Sequence, residues 1–254
     1  MNRRFHIVVV GGGVTGLMIA TLLSKGPHNE ALDITLVDAA LRPSYDRDGE
    51  VALRVSAIAR GTAELFDSVA AWDFVAATRA SPYESMRVWD ESDAPDSASS
   101  LCFDAAEFAV PQLGFIVENA LLQESLLRQL DATDTDLRFG ERIESLCRKA
   151  RQFHITLEDG EVLAADLVIG ADGARSFVRS AAGIEANEWP YEQTAFVTHL
   201  QPEMPHNATA WQRFLRTGPL GILPLEDGRV SVVWSTTPEQ AKAAMDADDD
   251  VTGG

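Results

Sequence analysis

The stretch FHIVVVGGGVTG, residues 5–16, decides the fold of this chain. Its first half, Phe5–Val10, is a nearly continuous run of apolar, mainly β-branched residues, which is typical of a strand buried on both faces of a parallel sheet. A glycine-rich turn follows, and residues 17–24 continue with helical character. Residues 33–37 form a second predicted strand. The N-terminal part of the sequence therefore predicts a compact β-α-β unit.

Three glycines in this stretch fill the G-x-G-x-x-G template, and each has its own physical role. Gly11 allows a tight turn, Gly13 lets a diphosphate approach the backbone, and Gly16 lets the helix pack close to the strand. Val14 and Thr15 open the predicted helix, whose N-terminal N–H groups carry a partial positive charge that suits phosphate. The pattern predicts a dinucleotide-binding turn, against the alternative of a chance glycine turn.

Asp38 ends the second predicted strand. A carboxylate at this place accepts hydrogen bonds from the ribose hydroxyls of an adenosine. Because it requires a free 2′-hydroxyl, it favours FAD or NAD over NADP in this pocket.

The composition is that of an ordinary globular protein, with 254 residues, of which 46% are hydrophobic and 24% charged. This excludes a disordered, collagen-like or coiled-coil chain and predicts one large domain or two small ones. Lys and Arg number 21 against 39 Asp and Glu, which gives a formal net charge of −18. Such an acidic chain is repelled by nucleic acid and by anionic lipid, so neither is a predicted partner.

The cysteines and histidines predict neither a disulfide framework nor a metal site. Cys102 and Cys147 stand far apart without CxxC spacing, which favours a reducing compartment. The five histidines form no HExxH or HxxxH pair. The apolar run at the N-terminus is too short for a signal peptide or a membrane span. We therefore predict a cytoplasmic protein without a transmembrane segment.

Periodicity and turn residues predict the remaining elements. Helices are predicted within 56–77, at 119–130 and at 238–245, and an exposed loop at 90–100, with an acidic run over 246–250. Strands are predicted at 85–89, 137–139, 153–157, 162–163, 167–169, 194–200 and 211–215, and a hairpin joins 220–225 to 229–235. The pattern is an α/β nucleotide-binding layer followed by an antiparallel layer.

Three stretches together resemble the group A flavin-dependent aromatic hydroxylases, typified by p-hydroxybenzoate hydroxylase. They are GGGVTG (11–16) with Asp38, LRVSAIARGTAELF (53–66) and DLVIGADGARSFVR (166–179). The resemblance implies an α/β fold in which a Rossmann-like FAD-binding domain is joined to an antiparallel β-sheet substrate domain.

The resemblance also implies roles for single residues. Arg54 matches the arginine that holds the FAD phosphates, although a solvated surface arginine is an equally simple interpretation. Asp172 and Gly173 match the DG motif, which contributes to FAD and NAD(P)H binding; without the resemblance they form an ordinary strand-to-helix turn. Asn119 matches the polar residue at the start of the long helix. No catalytic residue is assigned.

A narrower resemblance is to the ubiquinone-biosynthesis hydroxylases of the UbiH/UbiF/Coq6 type. It rests on GFIVENALLQ (114–123), YEQTAF (191–196) and the long run 206–235, which contains AWQRFLRTGPLGILPL. It implies a discontinuous FAD-binding domain (1–80 and 107–182) and a partial substrate domain (81–106 and 183–254). Candidate substrate contacts then lie on 211–225 and 232–234, where an aromatic residue is more often part of the core.

The sequence departs from this family in one respect. Family members run to roughly 400 residues and carry a second phosphate-binding motif, Gly-Asp-Ala-Ala-His, in their C-terminal third, and nothing here matches it. We therefore expect a C-terminally truncated chain whose FAD affinity is weak or absent and which is inactive alone.

The implied reaction is hydroxylation of a polyprenylated phenol, with FAD as cofactor, NAD(P)H as electron donor, O₂ as oxidant and a flavin C4a-hydroperoxide as the reacting species. Two other functions stay open: a flavin-linked reductase or dehydrogenase, and a non-catalytic scaffold of a ubiquinone-biosynthesis complex. Because the chain is acidic, we expect contact with the inner membrane to be peripheral and to run through other ubiquinone-biosynthesis proteins.

Overall fold

The structure is a computed structural model that describes residues 3–246. Within them the strands are β1 (Phe5–Val10), β2 (Leu32–Asp38), β3 (Val55–Ala59), β4 (Ala80–Tyr83), β5 (Ser85–Asp90), β6 (Leu101–Asp104), β7 (Gly114–Glu118), β8 (Asp136–Phe139), β9 (Ile143–Lys149), β10 (Gln152–Leu157), β11 (Val162–Ala165), β12 (Leu167–Gly170), β13 (Thr194–Leu200), β14 (Thr209–Leu215), β15 (Gly218–Pro224) and β16 (Val230–Thr236). The α-helices are α1 (Val14–Lys25), α2 (Arg60–Ser68), α3 (Trp72–Ala76), α4 (Asn119–Leu130), α5 (Phe177–Ala181) and α6 (Pro238–Asp246). Short 3₁₀ helices cover Asn29–Ala31 and Ala105–Phe108. Across this described stretch, every helix is too short or too polar to cross a membrane.

The chain divides into two compact units, each assembled from separate stretches of sequence. The first comprises Met1–Gly49, Glu64–Ala76 and Asn119–Asn187. The second comprises Glu50–Ala63, Ala77–Glu118 and Glu188–Gly254. The domain boundaries implied by the family resemblance differ from these ranges, chiefly at 50–63 and 107–118, and they stay a prediction.

A parallel sheet with strand order β12-β1-β2-β8 forms the centre of the first unit. β1 pairs with β2 along one edge and with β12 along the other. Val8 and Val9 are fully buried as a result. The prediction of a parallel strand buried on both faces is therefore confirmed. Because the strands are parallel, the carboxyl ends of β1, β2 and β12 meet at one edge of the sheet.

Further elements of the first unit bury the side chains of this sheet. α1 packs against β1, β2 and α4, and Leu17 on its inner face is fully buried. A separate antiparallel sheet, with order β11-β10-β9, packs Ile155 and Leu157 against Val8 and Val10. Burial of these aliphatic side chains fixes the position of the turn after β1.

The second unit contains a six-stranded sheet and a three-stranded sheet. The six-stranded sheet has the order β13-β16-β15-β14-β5-β6, and the three-stranded antiparallel sheet has the order β3-β7-β4. Neighbours in the larger sheet are antiparallel except β14 and β5, which pair in parallel with Thr209 opposite Ser85. The predicted antiparallel layer is thus present, with one parallel pair inside it.

Some elements differ from the sequence-based expectations. The helix predicted within 56–77 is wrong for residues 56–59, because they belong to strand β3, which pairs with β7. Strands β4, β6, β7 and β9 lie where the sequence predicts no strand. Of the acidic run 246–250, Asp246 ends α6, and residues 247–250 lie outside the described residues.

Candidate functional site

A cleft of about 610 Å³ opens in the first unit at the carboxyl edge of the parallel sheet. Ligands of open α/β sheets bind at this edge. Five of the predicted cofactor-binding residues line the cleft: Gly11, Gly13, Asp38, Asp172 and Gly173. The fold therefore brings together residues from three separate parts of the sequence.

Close approach of backbone to backbone explains two glycines of the turn. Gly11 has a φ of +113°, and a Cβ on it would overlap the carbonyl of Ala171. A Cβ on Gly16 would overlap the carbonyl oxygen of Gly11. Any larger residue at either position would push α1 or the strand-end turns apart.

Gly13 has a different environment. It adopts extended backbone angles at the N-terminus of α1, and a Cβ on it would meet no atom within 4 Å. The first hydrogen bond of α1 runs from Leu17 N–H to Gly13 O at 3.0 Å, and no side chain caps the helix. Val14 and Thr15 therefore begin a 12-residue helix whose first-turn N–H groups have no side-chain acceptor.

Asp38 is fixed at the end of β2 by backbone N–H groups. One carboxylate oxygen accepts from Gly12 N–H and the other from Ala40 N–H at 2.6 Å. A carboxylate has about four lone-pair sites, so both oxygens keep acceptor capacity after these bonds. The carboxylate lines the cleft and can accept further hydrogen bonds from hydroxyl groups there.

Asp172 organises the turn between β12 and α5. Its carboxylate accepts from Ser176 Oγ at 2.5 Å, from Phe177 N–H at 2.6 Å and from Val178 N–H at 3.1 Å. Gly173 follows with a φ of +80°, a backbone conformation that favours glycine. These bonds hold the turn against the cleft, and a role of Asp172 and Gly173 in cofactor binding stays a prediction.

Helix α4 starts at Asn119, at the predicted boundary. One turn further along, Gln123 donates from Nε2 to the carbonyl oxygen of Gly12 at 3.0 Å. This link between α4 and the glycine turn was not predicted from sequence, because it joins residues 111 positions apart. No local pattern marks Gln123, which is one of three polar residues between Leu122 and Leu126.

The charged side chains along the cleft are mostly acidic. Asp38, Glu141 and Asp172 line it, and Arg142 is the one basic residue among the described residues that do so. Arg142 is well exposed and lies 3.4 Å from Glu158. An anion in this cleft must therefore be held mainly by backbone N–H groups, which the glycine turn and α1 supply.

Arg54 belongs to the second unit and is exposed just before β3. It lines a cavity of about 320 Å³ together with Leu53, Val55, Val197 and Val233. Apart from the guanidinium, these side chains are aliphatic. Of the segments predicted to contact substrate, only 232–234 contributes a residue to this lining. Binding of cofactor phosphates by Arg54 stays a prediction.

Trp211, within the other predicted substrate segment, packs edge-on against Trp89 with ring centroids 6.0 Å apart. This contact agrees with the simpler interpretation of an aromatic residue packed on the sheet.

His199 on β13 is half-buried, and no hydrogen-bond partner is found for its Nε2 among residues 3–246. Burial, and to a smaller degree the Arg229 guanidinium, lowers the pKa of His199. The imidazole is therefore held towards its neutral form.

No group of three or more His, Cys, Asp or Glu side chains able to hold a metal ion occurs in the part of the chain that the structure describes. Three features of the cleft suit a ribose and a diphosphate, and their role in binding stays a prediction. The open position at Gly13 and the uncapped first turn of α1 suit the diphosphate, and the fixed carboxylate of Asp38 suits the ribose.

Comparisons with known proteins show which proteins this chain is similar to. The chain is 37% identical over 258 residues to the mitochondrial ubiquinone biosynthesis monooxygenase COQ6 of Xenopus tropicalis. The alignment covers 97% of this chain and 54% of that protein. It is 35% identical over 242 residues to the 3-demethoxyubiquinol 3-hydroxylase of Escherichia coli K12. This alignment covers 95% of the chain and 60% of that enzyme. The predicted similarity to ubiquinone-biosynthesis hydroxylases is thus confirmed, and the chain spans about half the length of these relatives.

Among solved structures, Pseudomonas aeruginosa PqsL in complex with 2-aminobenzoylacetate superimposes with a TM-score of 0.75. The match covers 96% of this chain and 64% of PqsL at 20% identity, which shows a shared fold. The family model for an FAD binding domain matches residues 4–252. The chain therefore belongs to the FAD binding domain family.

Proposed function

We propose that this protein acts in an FAD-dependent hydroxylation of an aromatic ring, with a polyprenylated phenol of ubiquinone biosynthesis as substrate, NAD(P)H as electron donor and O₂ as the oxygen source. The observation that carries the proposal is the 37% identity to a ubiquinone biosynthesis monooxygenase across 97% of the chain. The cleft adds support, because its geometry suits the adenosine and diphosphate of FAD.

The residues of the cleft bind and orient the cofactor. Gly13 N–H and the first turn of α1 donate to the diphosphate, and the carboxylate of Asp38 accepts from the ribose hydroxyls. Gly11 and Gly16 keep the turn tight enough for this approach. Bound FAD supplies the electron transfer and O₂ activation that hydroxylation requires.

The second unit supplies an apolar environment for the substrate ring. Leu53, Val55, Val197 and Val233 line an open cavity whose aliphatic walls offer an aromatic group apolar contacts. Arg54 is proposed to contact the cofactor phosphates, as the family resemblance implies. No residue is assigned as a base towards the phenol.

The proposal places the protein in the cytoplasm, with other ubiquinone-biosynthesis proteins as partners. The charge of −18 opposes direct adhesion to anionic lipid, so partner proteins bring the polyprenylated substrate from the inner membrane. A protein that binds anionic vesicles unaided would contradict this part of the proposal.

Because the chain alone is expected to be inactive, the reaction is tested in a protein that joins residues 1–254 to the second phosphate-binding segment of the family. This protein is incubated with FAD, NADH or NADPH, ¹⁸O₂ and a polyprenylated phenol, and the product is analysed by mass spectrometry. We expect a hydroxylated ring that carries ¹⁸O. A product with a saturated bond and no ¹⁸O would indicate a flavin-linked reductase, and bound FAD without turnover would indicate a scaffold. Either result would contradict the proposal, and the Gly13→Val variant serves as the control without cofactor.

A further inference from the structure

The peptide group between Gly12 and Gly13 is held on the side that faces α4. The carbonyl oxygen of Gly12 accepts a hydrogen bond from Gln123 Nε2 at 3.0 Å. The N–H of Gly12 donates to the carboxylate of Asp38, and the N–H of Gly11 donates to Val37 O at 2.8 Å. Most polar backbone groups of the turn are therefore already engaged within the protein.

The N–H of Gly13 is the exception. No acceptor for it is found among residues 3–246, and Gly13 lines the cleft whereas Gln123 does not. The peptide is planar and trans, so the Gly12 carbonyl and the Gly13 N–H point in opposite directions. Since the carbonyl faces Gln123, the N–H faces away from α4.

A glycine on each side makes this peptide group easy to rotate, because neither residue has a Cβ to restrict it. After a rotation by half a turn the Gly13 N–H would face α4, and the Gly12 carbonyl oxygen would point where the Gly13 N–H had pointed before. A carbonyl dipole in that direction repels an anion, whereas an N–H attracts it. Some interaction must therefore fix the orientation, and the Gln123 amide supplies it.

We propose that Gln123 is a positioning residue, which keeps the Gly13 N–H directed at the diphosphate by binding the carbonyl of Gly12. This inference rests on the proposed function, because it takes the cofactor diphosphate as the anion in the cleft. Gln123 itself makes no contact with the ligand in this scheme.

The same helix offers a matched control. Gln129 on α4 donates from Nε2 to the carbonyl oxygen of Ala70 at 2.8 Å, away from the cleft. Gln123→Met and Gln129→Met each remove one bond from a glutamine amide to a backbone carbonyl, and Gln129→Met also removes the bond from Lys25 Nζ to Gln129 Oε1 at 2.5 Å. Gln129→Met should therefore lower stability at least as much as Gln123→Met, yet only Gln123→Met should weaken binding of the ligand.

The measurement is a titration of ¹⁵N-glycine-labelled protein with FAD, followed by NMR, which detects weak binding as well as tight binding. The resonance of the Gly13 amide is identified by its absence in Gly13→Val. We expect FAD to shift this resonance in the unsubstituted chain and in Gln129→Met. In Gln123→Met we expect the Gly13 amide resonance to have a different position already in the absence of FAD. The Kd for FAD should rise about tenfold, which is the effect of losing roughly one hydrogen bond.

Two further variants separate positioning from simple packing. Gln123→Lys restores a donor to the Gly12 carbonyl, so its Kd should return to within about threefold of the unsubstituted value. Gln123→Glu has the shape of glutamine but presents acceptors only, so its Kd should rise more than that of Gln123→Met. A role in packing alone would give the opposite order, with Glu the mildest change.

The outcomes distinguish the two proposals. Normal FAD binding by Gly13→Val would overturn both, since the diphosphate would then lie elsewhere. Loss of binding by Gly13→Val together with an unchanged Kd in Gln123→Met would overturn only the positioning role of Gln123. An equal rise in Kd for Gln123→Met and Gln129→Met would overturn it too.

Discussion

At the level of single residues, Gly13 and Gly16 differ in what a methyl group at each would meet. At Gly16 it would overlap the carbonyl oxygen of Gly11, and at Gly13 it would enter open space in the cleft. Gly16 is thus required by packing within the protein. No packing among the described residues requires Gly13, and in the proposed function the cofactor diphosphate does.

This difference predicts opposite effects of two substitutions. Gly13→Val should lower the free energy of unfolding by no more than about 1 kcal/mol, the cost of a poor N-cap residue, while weakening FAD binding at least about tenfold, because in the proposed function the side chain takes the place of the diphosphate. Gly16→Ala should destabilise the fold by about 1–3 kcal/mol through overpacking. Urea unfolding and FAD titration of both variants provide the check, and equal unfolding midpoints would refute the assignment.

His199 gives a prediction about pH. Burial and Arg229 lower its pKa, whereas Asp227 and Glu118 act weakly in the opposite sense. The unfolded chain, with a histidine pKa of about 6.5, therefore takes up a proton before the folded chain does. Stability from neutral His199 is fully present above that value and is lost as the pH falls below it.

We accordingly expect the free energy of unfolding to decrease from pH 7.5 to pH 5.5. The free energy of unfolding of the His199→Gln variant should decrease less over the same interval. The comparison between the two proteins removes the contribution of other groups. Parallel pH profiles would show that His199 titrates alike in both states.

At the level of elements, α4 shows how one helix joins a buried and an exposed face. Leu122, Leu126 and Leu130 are almost fully buried, at spacings of four residues, while Glu124 and Arg128 form an ion pair at 2.9 Å on the outer side. Buried aliphatic packing outweighs an exposed ion pair several-fold.

Leu126→Ala should therefore destabilise the protein by about 2–5 kcal/mol, whereas Glu124→Ala should cost about 0.5 kcal/mol or less. Denaturant titration monitored by circular dichroism measures both. Similar values for the two variants would mean that α4 is not packed as described.

Elements with a strong internal pattern could be predicted from the sequence. β1, α1 and β2 follow from a continuous apolar run, the glycine turn and the next apolar run, and α4 follows from its leucine spacing. Val55–Ala59 has no such pattern, and its strand conformation comes from pairing with Gly114–Glu118 far along the chain. Local preference cannot report a partner of this kind.

The candidate site divides in the same way. Gly11, Gly13 and Asp38 lie within 28 residues of one another and belong to a motif that the sequence displays. Gln123 reaches Gly12 only because α4 packs against α1. A contact made by tertiary packing has no signature in the spacing of residues.

At the level of the whole molecule, the net charge of −18 acts on any anionic ligand that approaches. The Debye length falls from about 30 Å at 0.01 M salt to about 8 Å at 0.15 M, so added salt screens the repulsion. We expect the association rate of FAD to rise over this range when measured by stopped-flow fluorescence. A rate that falls would mean that the local field at the start of α1 dominates the approach.

The pairing of β1 with β12 also has a consequence for biosynthesis. Ile7 lies opposite Leu167, so the partner of β1 leaves the ribosome 160 residues later. At about 5–20 residues per second, the nascent chain carries β1 with one open edge for roughly 8–32 s. An apolar, β-branched edge of this kind is prone to aggregate, so we expect a chaperone to bind residues 5–10 co-translationally and to release them once β12 emerges.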